Sequence, residues 1–345
     1  MLRTSCFALL LALHLSPAQA TPTPDPQLRS AFIEEAAKQH ALDPADIGSW
    51  LDKARHQPAI VAAMSRPAEK VKPWHQYRPI FLGEQRIREG RAFLDENRAL
   101  LDAVENQTGV PAEVIVAIIG VETSYGKITG NHRVLDALYT LGFFYPVSGD
   151  PERVEYEARR GLFFRKELAQ AMRLAKDNGF DLDTLQGSYA GAMGWGQFMP
   201  SSYRNYAVDG DGDGRVDLFA SKPDIFASVA NYFVAHGWKA GQPVVAPATV
   251  SDDAQMLEAP PRLQVTHSLA ELSALGYRPL QEMDADLQAG LVLLEGSAGP
   301  EHWLGFANFF VITRYNISAM YAMAVHQLSR EIAGDEVVVA AAPQL

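Results

Sequence analysis

The segment V-P-A-E-V-I-V-A-I-I-G-V-E-T-S-Y-G-K-I-T-G, Val110 to Gly130, decides how the rest of the chain is read. Pro111 suits a first helical position, and Glu113 falls in the first turn, where the helix dipole favours a negative charge. From Val114 to Val121 nearly every residue is apolar, and a helix apolar all round is a buried one. One acid, Glu122, closes that run, and Thr-Ser-Tyr-Gly follows, where the helix must stop. An acid in that place is costly unless it is paired or faces a polar cleft. Partial desolvation raises its pKa and keeps it protonated near neutrality, as a general acid requires. Taken by itself, the helix also fits an ordinary C-terminal carboxylate emerging into solvent.

Working outward, the chain has 345 residues and opens with a secretion-like leader. Arg3 precedes an apolar run, Phe7 to Leu15, and Ser-Pro-Ala-Gln-Ala ends at Ala20. The run is too short for a membrane span and fits a cleavable signal, leaving 325 residues. Cys6 is the only cysteine and precedes the apolar run, so it is misplaced for lipid attachment at a cleavage site. Removal of the leader also removes any disulfide or thiolate metal site, and 325 residues can be held by an apolar core alone. Losing Arg3 takes the formal net charge from −11 to −12, which argues against nucleic acid as a partner. No second apolar run reaches membrane-spanning length.

The elements read as mainly helical with a minor β part. Asp43-Pro-Ala-Asp46 starts a helix that runs to Ala54. Ser65 to Pro79, with three prolines, reads as extended or turning. Gln85 to Asn106 reads as one long helix, Asn131 to Phe144 as another, and Asp150 to Asn178 as a third, stopped by Gly179. Ile225 to His236 is helical. After Gly237 come short β-like runs at Val244-Val245, Arg262 to Thr266 and Gly290 to Glu295. Ala319 to Ile332 forms a last helix. The expected organisation is a leader (1–20), an N-terminal helical region (21–109), a core (110–239), a small β-containing part (240–312) and a returning C-terminal helix (313–335). No internal repeat is visible, and the tail after Gly334 has no assigned role.

Two further stretches carry chemistry. Gln186 to Tyr203, Q-G-S-Y-A-G-A-M-G-W-G-Q-F-M-P-S-S-Y, lacks the Gly-Lys-Ser/Thr of a phosphate loop. Its glycines let backbone approach a ligand or let helices pack closely, and Ser188, Tyr189, Trp195 and Gln197 suit a sugar. A tightly packed corner with no ligand fits it equally. Asp209-Gly-Asp-Gly-Asp-Gly-Arg-Val-Asp sets acids at positions 1, 3, 5 and 9 of an EF-hand-like loop, with Gly214 at position 6. Arg215 at position 7 would offer a backbone carbonyl. Ala220 stands at position 12, where an acid is expected, and Asp224 lies further on. A metal-free acidic turn is the alternative. Nucleophile elbows and His-Glu-x-x-His are absent, and the nine histidines are scattered.

Taken together, V-E-T-S-Y-G-K-I-T-G, G-S-Y-A-G-A-M-G-W-G-Q-F-M-P-S-S-Y, S-V-A-N-Y-F-x-x-H-G-W, I-T-R-Y-N, Y-A-M-A-V and S-R-P-A-E-K-x-K-P-W resemble the type B lytic murein transglycosylases, over residues 30 to 330. The resemblance implies a lysozyme-like helical core, a helical N-terminal part, a small β domain and an EF-hand-like Ca²⁺ site. It implies peptidoglycan as substrate, cleaved at the β-1,4 bond between N-acetylmuramic acid and N-acetylglucosamine to leave a 1,6-anhydromuramoyl end. The chemistry needs no cofactor; Ca²⁺ would be structural. Carried over position by position, the catalytic glutamate falls on Glu122, and the cleft residues on Tyr77, Ser188, Gln197, Tyr232, Tyr315, Asn316 and Tyr321. The loop ligands fall on Asp209, Asp211, Asp213 and, after one extra residue, Asp224, with the Arg215 carbonyl. A soluble periplasmic form is expected, with glycan strands as partners and room for the cell-wall synthesis machinery. A hydrolytic muramidase and a non-catalytic wall-binding protein are the rival readings. Glycosidases ordinarily need two carboxylates, and only Glu122 is well placed.

Overall fold

The computed structural model describes residues 22–65, 72–257 and 263–335. The signal-like leader, residues 66–71 of the S-R-P-A-E-K-x-K-P-W block, Arg262 and the tail after Asp335 lie outside them. The helices are α1 (Pro26–His40), α2 (Pro44–Lys53), α3 (Pro58–Ser65), α4 (Trp74–Phe81), α5 (Glu84–Glu96), α6 (Arg98–Thr108), α7 (Ala112–Thr123), α8 (Val134–Phe143), α9 (Val154–Asn178), α10 (Pro200–Tyr206), α11 (Lys222–Ala235), α12 (Leu269–Ala274), α13 (Ala307–Tyr315) and α14 (Ala319–Ala333). The mainly helical class with a small β part is as the sequence implies.

Local chemistry explains most boundaries. Asp43 caps α2, its Oδ1 accepting the Ala45 amide at 2.8 Å, with Pro44 at the first position. The helix read over 85–106 is instead two. Asn97 is buried, and its side-chain amide donates to the Phe93 carbonyl at 2.7 Å, so a side chain competes with the helical ladder there. Lys222 then donates to the Asn97 Oδ1 at 2.8 Å and ties the break to α11. The prolines also mislead: α4 is helical, not extended, and carries Pro79 inside it. Trp74 at its start is fully buried, and α4 packs against α14, so burial outweighs one missing backbone bond. Residues 132–133 are not helical but form a short strand, β1 (His132–Arg133), antiparallel to β2 (Gln186–Gly187).

α7 lies at the centre, with Ile115 to Ile119 sealed from water on every side. It is flanked by α5, α6, α11 and α14. The Glu105 carboxylate accepts the Ala112 amide at 2.8 Å and so satisfies one orphan donor of its first turn. A five-stranded antiparallel sheet follows α11, built from β3 (Val245–Val250), β4 (His267–Ser268), β5 (Tyr277–Pro279), β6 (Gln288–Gly296) and β7 (Gly299–Phe306), in the order β4-β6-β7-β3-β5. The run read at 262–266 reaches a strand only at His267. The last strand ends at Phe306 and α13 begins at Ala307, ahead of the boundary expected at 312.

Candidate active site

Glu122 sits in the last turn of α7, where the helix ends sharply. Ser124 and Tyr125 both adopt left-handed backbone, at φ 50° and 62°. Two such non-glycine residues in a row are held by their surroundings. The Tyr125 ring folds back over Gly120, where an added Cβ would meet the ring at 2.7 Å, and its hydroxyl donates to the Arg86 carbonyl at 2.8 Å. The Arg86 guanidinium in turn donates to the Gly120 carbonyl, which also accepts the Ser124 amide at the helix end. Thr123 Oγ1 donates to Trp195 O at 2.9 Å and accepts the Gly126 amide at 3.0 Å.

The carboxylate itself is only partly screened by area but is surrounded by protein. Burial pushes its pKa up to about 7, against a smaller lowering by one hydrogen bond, Tyr321 hydroxyl to Glu122 Oε1 at 2.5 Å. No second charged group perturbs it among the described residues. Three phenols stand around it. Burial and then the Glu122 charge raise the pKa of Tyr77, and raise those of Tyr315 and Tyr321 far more. At neutral pH this site therefore holds an acid still able to carry a proton, among neutral hydroxyl groups.

The remaining candidates fall into three places. Tyr315 donates to the Gly196 carbonyl at 2.7 Å, and Tyr232 packs behind it with ring centroids 4.8 Å apart, its own hydroxyl on Arg314 O at 2.7 Å. Gln197, at φ 51°, donates from Nε2 to Thr129 O at 3.1 Å and Gly194 O at 3.0 Å, so it ties the glycine-rich stretch to the loop after α7. Ser188 Oγ accepts the Ala192 amide at 3.1 Å and shapes the turn facing Gly130. Gly130 has φ 96°, and a Cβ there would meet Gly187 O at 2.1 Å, which excludes any side chain. Asn316 is exposed beside Tyr315. Arg86, Thr123 and Tyr125 were not singled out from the sequence. Their only signal was adjacency to the helix end for the last two, and none existed for Arg86.

The acidic loop is a separate feature. Asp209, Asp211 and Asp213 are exposed, with carboxylate oxygens all within 4.8 Å of one another. Asp209 accepts the amides of Gly212 at 2.6 Å and Gly214 at 2.8 Å, which hold its carboxyl below the usual range. Asp224 does not join that cluster. It is buried at the start of α11, and its two oxygens accept the Gly210 amide at 2.8 Å and the Asp217 amide at 2.7 Å. The exit of the loop reaches the glycine-rich stretch, where the Trp195 amide donates to Leu218 O at 3.0 Å. Three hard oxygen donors that would otherwise repel one another fit a cation such as Ca²⁺.

Residues 25–330 match the Transglycosylase SLT domain family. The soluble lytic transglycosylase SltB1 of Pseudomonas aeruginosa is 44% identical, with a TM-score of 0.78, covering 90% of this chain and 99% of that one. The Escherichia coli lytic transglycosylase Slt35, solved with calcium, is 37% identical, with a TM-score of 0.75 and coverage of 91% and 93%. SltB3 of P. aeruginosa, solved with NAG-anhNAM-pentapeptide, is 32% identical, with a TM-score of 0.76 and coverage of 92% and 81%. With a family match spanning most of the sequence and neighbours of this identity along their length, the chain belongs to the SLT-domain lytic transglycosylases and is an enzyme of that class.

Proposed function

We propose that this chain cleaves the β-1,4 bond between N-acetylmuramic acid and N-acetylglucosamine in peptidoglycan and leaves a 1,6-anhydromuramoyl end. The observation that carries the reading is a lone carboxylic acid, Glu122, with its pKa raised to about 7 and a single phenol donating to it. Hydrolysis with two carboxylates would call for a second acid across the bond. Among the described residues none perturbs Glu122. A lytic transglycosylase needs one, because the sugar's own 6-hydroxyl is the nucleophile. Glu122 protonates the leaving glycosidic oxygen while the muramoyl acetamido group assists at the anomeric carbon. As a carboxylate it then takes the 6-hydroxyl proton as the anhydro ring closes. Tyr321 holds the carboxyl in place through both steps. Tyr77, Tyr232, Tyr315, Asn316, Ser188 and Gln197 form the walls and floor that receive the glycan. The NAG-anhNAM-pentapeptide bound by the relative SltB3 supports this product chemistry.

Asp209, Asp211 and Asp213, with the Arg215 carbonyl, would hold Ca²⁺, whose contribution is to neutralise the clustered carboxylates and stiffen the loop. Asp224 acts from behind as the residue that closes the loop onto α11. The secretion-like leader supports action in the periplasm, and no helix among the described residues is long and apolar enough to cross a membrane. Mass spectrometry of the muropeptides released from purified peptidoglycan tests the reaction. Products one water lighter than muramidase products are expected. Water-added, reducing ends would make the enzyme a muramidase. Release of nothing, with binding intact, would make it a wall-binding protein.

A further inference from the structure

α7 and α14 run side by side and antiparallel, so the pair has two ends. Glu122 and Tyr321 meet at one. At the other, nine residues and about 13 Å along α7, a cavity of ≈ 520 Å³ opens between the helices and the sheet. That volume lies within the range of small-molecule sites, which favour such junctions. Trp238 and Trp303 form part of its wall, and Glu113, His326, Gln327 and Arg330 supply its polar groups.

The polar groups are placed as a binding site would place them. Gln327 is 2% exposed, and its Oε1 accepts the Arg78 Nε at 2.7 Å. Gln327 is one of the residues lining the cavity, and its amide nitrogen has no hydrogen-bond partner among the described residues. The His326 ring likewise has no hydrogen-bond partner among the described residues. The formal charges are compensated locally, since Arg330 pairs with Asp335 and the Glu113 carboxylate is held by its own backbone amide. Burial also favours the uncharged forms of Glu113 and His326, the latter pushed down to about 4. An ionic ligand would be poorly matched there. A neutral ligand with one apolar face and several hydroxyl or amide groups matches both walls.

We propose that this cavity is a second saccharide site, taking an N-acetylated sugar with its apolar face towards Trp238 and Trp303 and an oxygen on the Gln327 amide. The proposal rests on the reading that the enzyme works on N-acetylated glycans. The site would hold a strand at a second point while the Glu122 cleft works on another.

The test is an NMR titration of the full-length Glu122→Gln protein with tri-N-acetylchitotriose. The Trp303 indole and the His326 ring report the cavity, and the Tyr321 ring reports the cleft. Saturable shifts are expected at both. Gln327→Glu keeps the acceptor for Arg78 but removes the donor, and Gln242→Trp places bulk at an exposed position of the rim. Each should weaken the cavity response at least tenfold and leave the Tyr321 response unchanged. Silence at Trp303 and His326 with a normal Tyr321 response overturns the second site alone. A cavity response indifferent to both substitutions also overturns it. Silence at all three reporters overturns the second site together with the glycan reading itself.

Discussion

Glu113 and Glu122 stand at opposite ends of the same helix, and burial raises the pKa of both. Their surroundings differ in how strongly they oppose that rise. Glu113 lies at the N-terminus, where burial still raises its pKa but the dipole, its own backbone amide and Arg330 offset part of that rise, while Glu105 adds to it. Glu122 lies at the C-terminal end, where the dipole opposes a negative charge and only Tyr321 favours it. The same side chain thus has its burial partly offset at one end and almost unopposed at the other. Desolvation makes an acid available for proton transfer only where the helix does not undo it.

The largest expected effect separates the two directly. Glu122→Gln should lose roughly 10²–10⁴-fold in turnover, the usual worth of general acid–base help. Glu113→Gln should stay within about threefold, measured on the same purified peptidoglycan. Comparable losses in both would break the distinction.

A smaller effect sharpens it. Tyr321→Phe removes the one bond that favours the Glu122 carboxylate. Turnover should fall about tenfold, in line with one hydrogen bond to a charged group. Because that bond lowers the Glu122 pKa, its loss should move the alkaline limb of the pH–rate profile upward. A limb that moved down, or not at all, would mean that Glu122 does not set it.

Stability should respond with the opposite sign to activity. The Glu122 pKa is about 7 in the folded chain and 4.5 at its ordinary value. The folded state therefore binds the proton more tightly, and stability drains away as pH rises from about 4.5 to 7. Glu122→Gln removes that loss, so above pH 7 its thermal midpoint should lie about 5 °C above that of the parent. At pH 4 the two should coincide. Calorimetry at the two pH values checks this.

The smallest effect on activity is expected from the acidic loop, which is remote from this contrast. Added Ca²⁺ should raise the thermal midpoint, by an amount set by its affinity, and leave the alkaline limb in place. Asp211→Asn should abolish that rise. A Ca²⁺-dependent shift of the limb would show that the loop acts on Glu122 through Leu218, Trp195 and Thr123, which its bonds connect.

The organising helix, its terminal acid and the glycine-rich partner were legible because each rests on local signals: an apolar run, a stop, a set of small residues. The phenols around Glu122 were legible only through family resemblance, since Tyr77, Tyr315 and Tyr321 come from distant elements. The break at Asn97 was hidden because a buried side-chain-to-backbone bond leaves no periodic trace. The helix at Trp74–Phe81 was hidden because Trp74 burial overrides a proline-rich composition. Asp224 was read from loop spacing, whereas its oxygens are engaged by backbone amides that spacing does not reveal. Arg86 reaches the helix end from another helix, and nothing near it in sequence points there.

The central claim is that Glu122 titrates near neutral pH, well above an ordinary carboxylate, because of where it sits. Carbon-13 NMR of the glutamate side-chain carboxyls, with Glu122→Gln supplying the assignment, measures this directly. The account predicts a single resonance, absent from the variant, that titrates near pH 7. A Glu122 resonance that titrated near 4.5 would leave an ordinary carboxylate at the helix end and contradict the account.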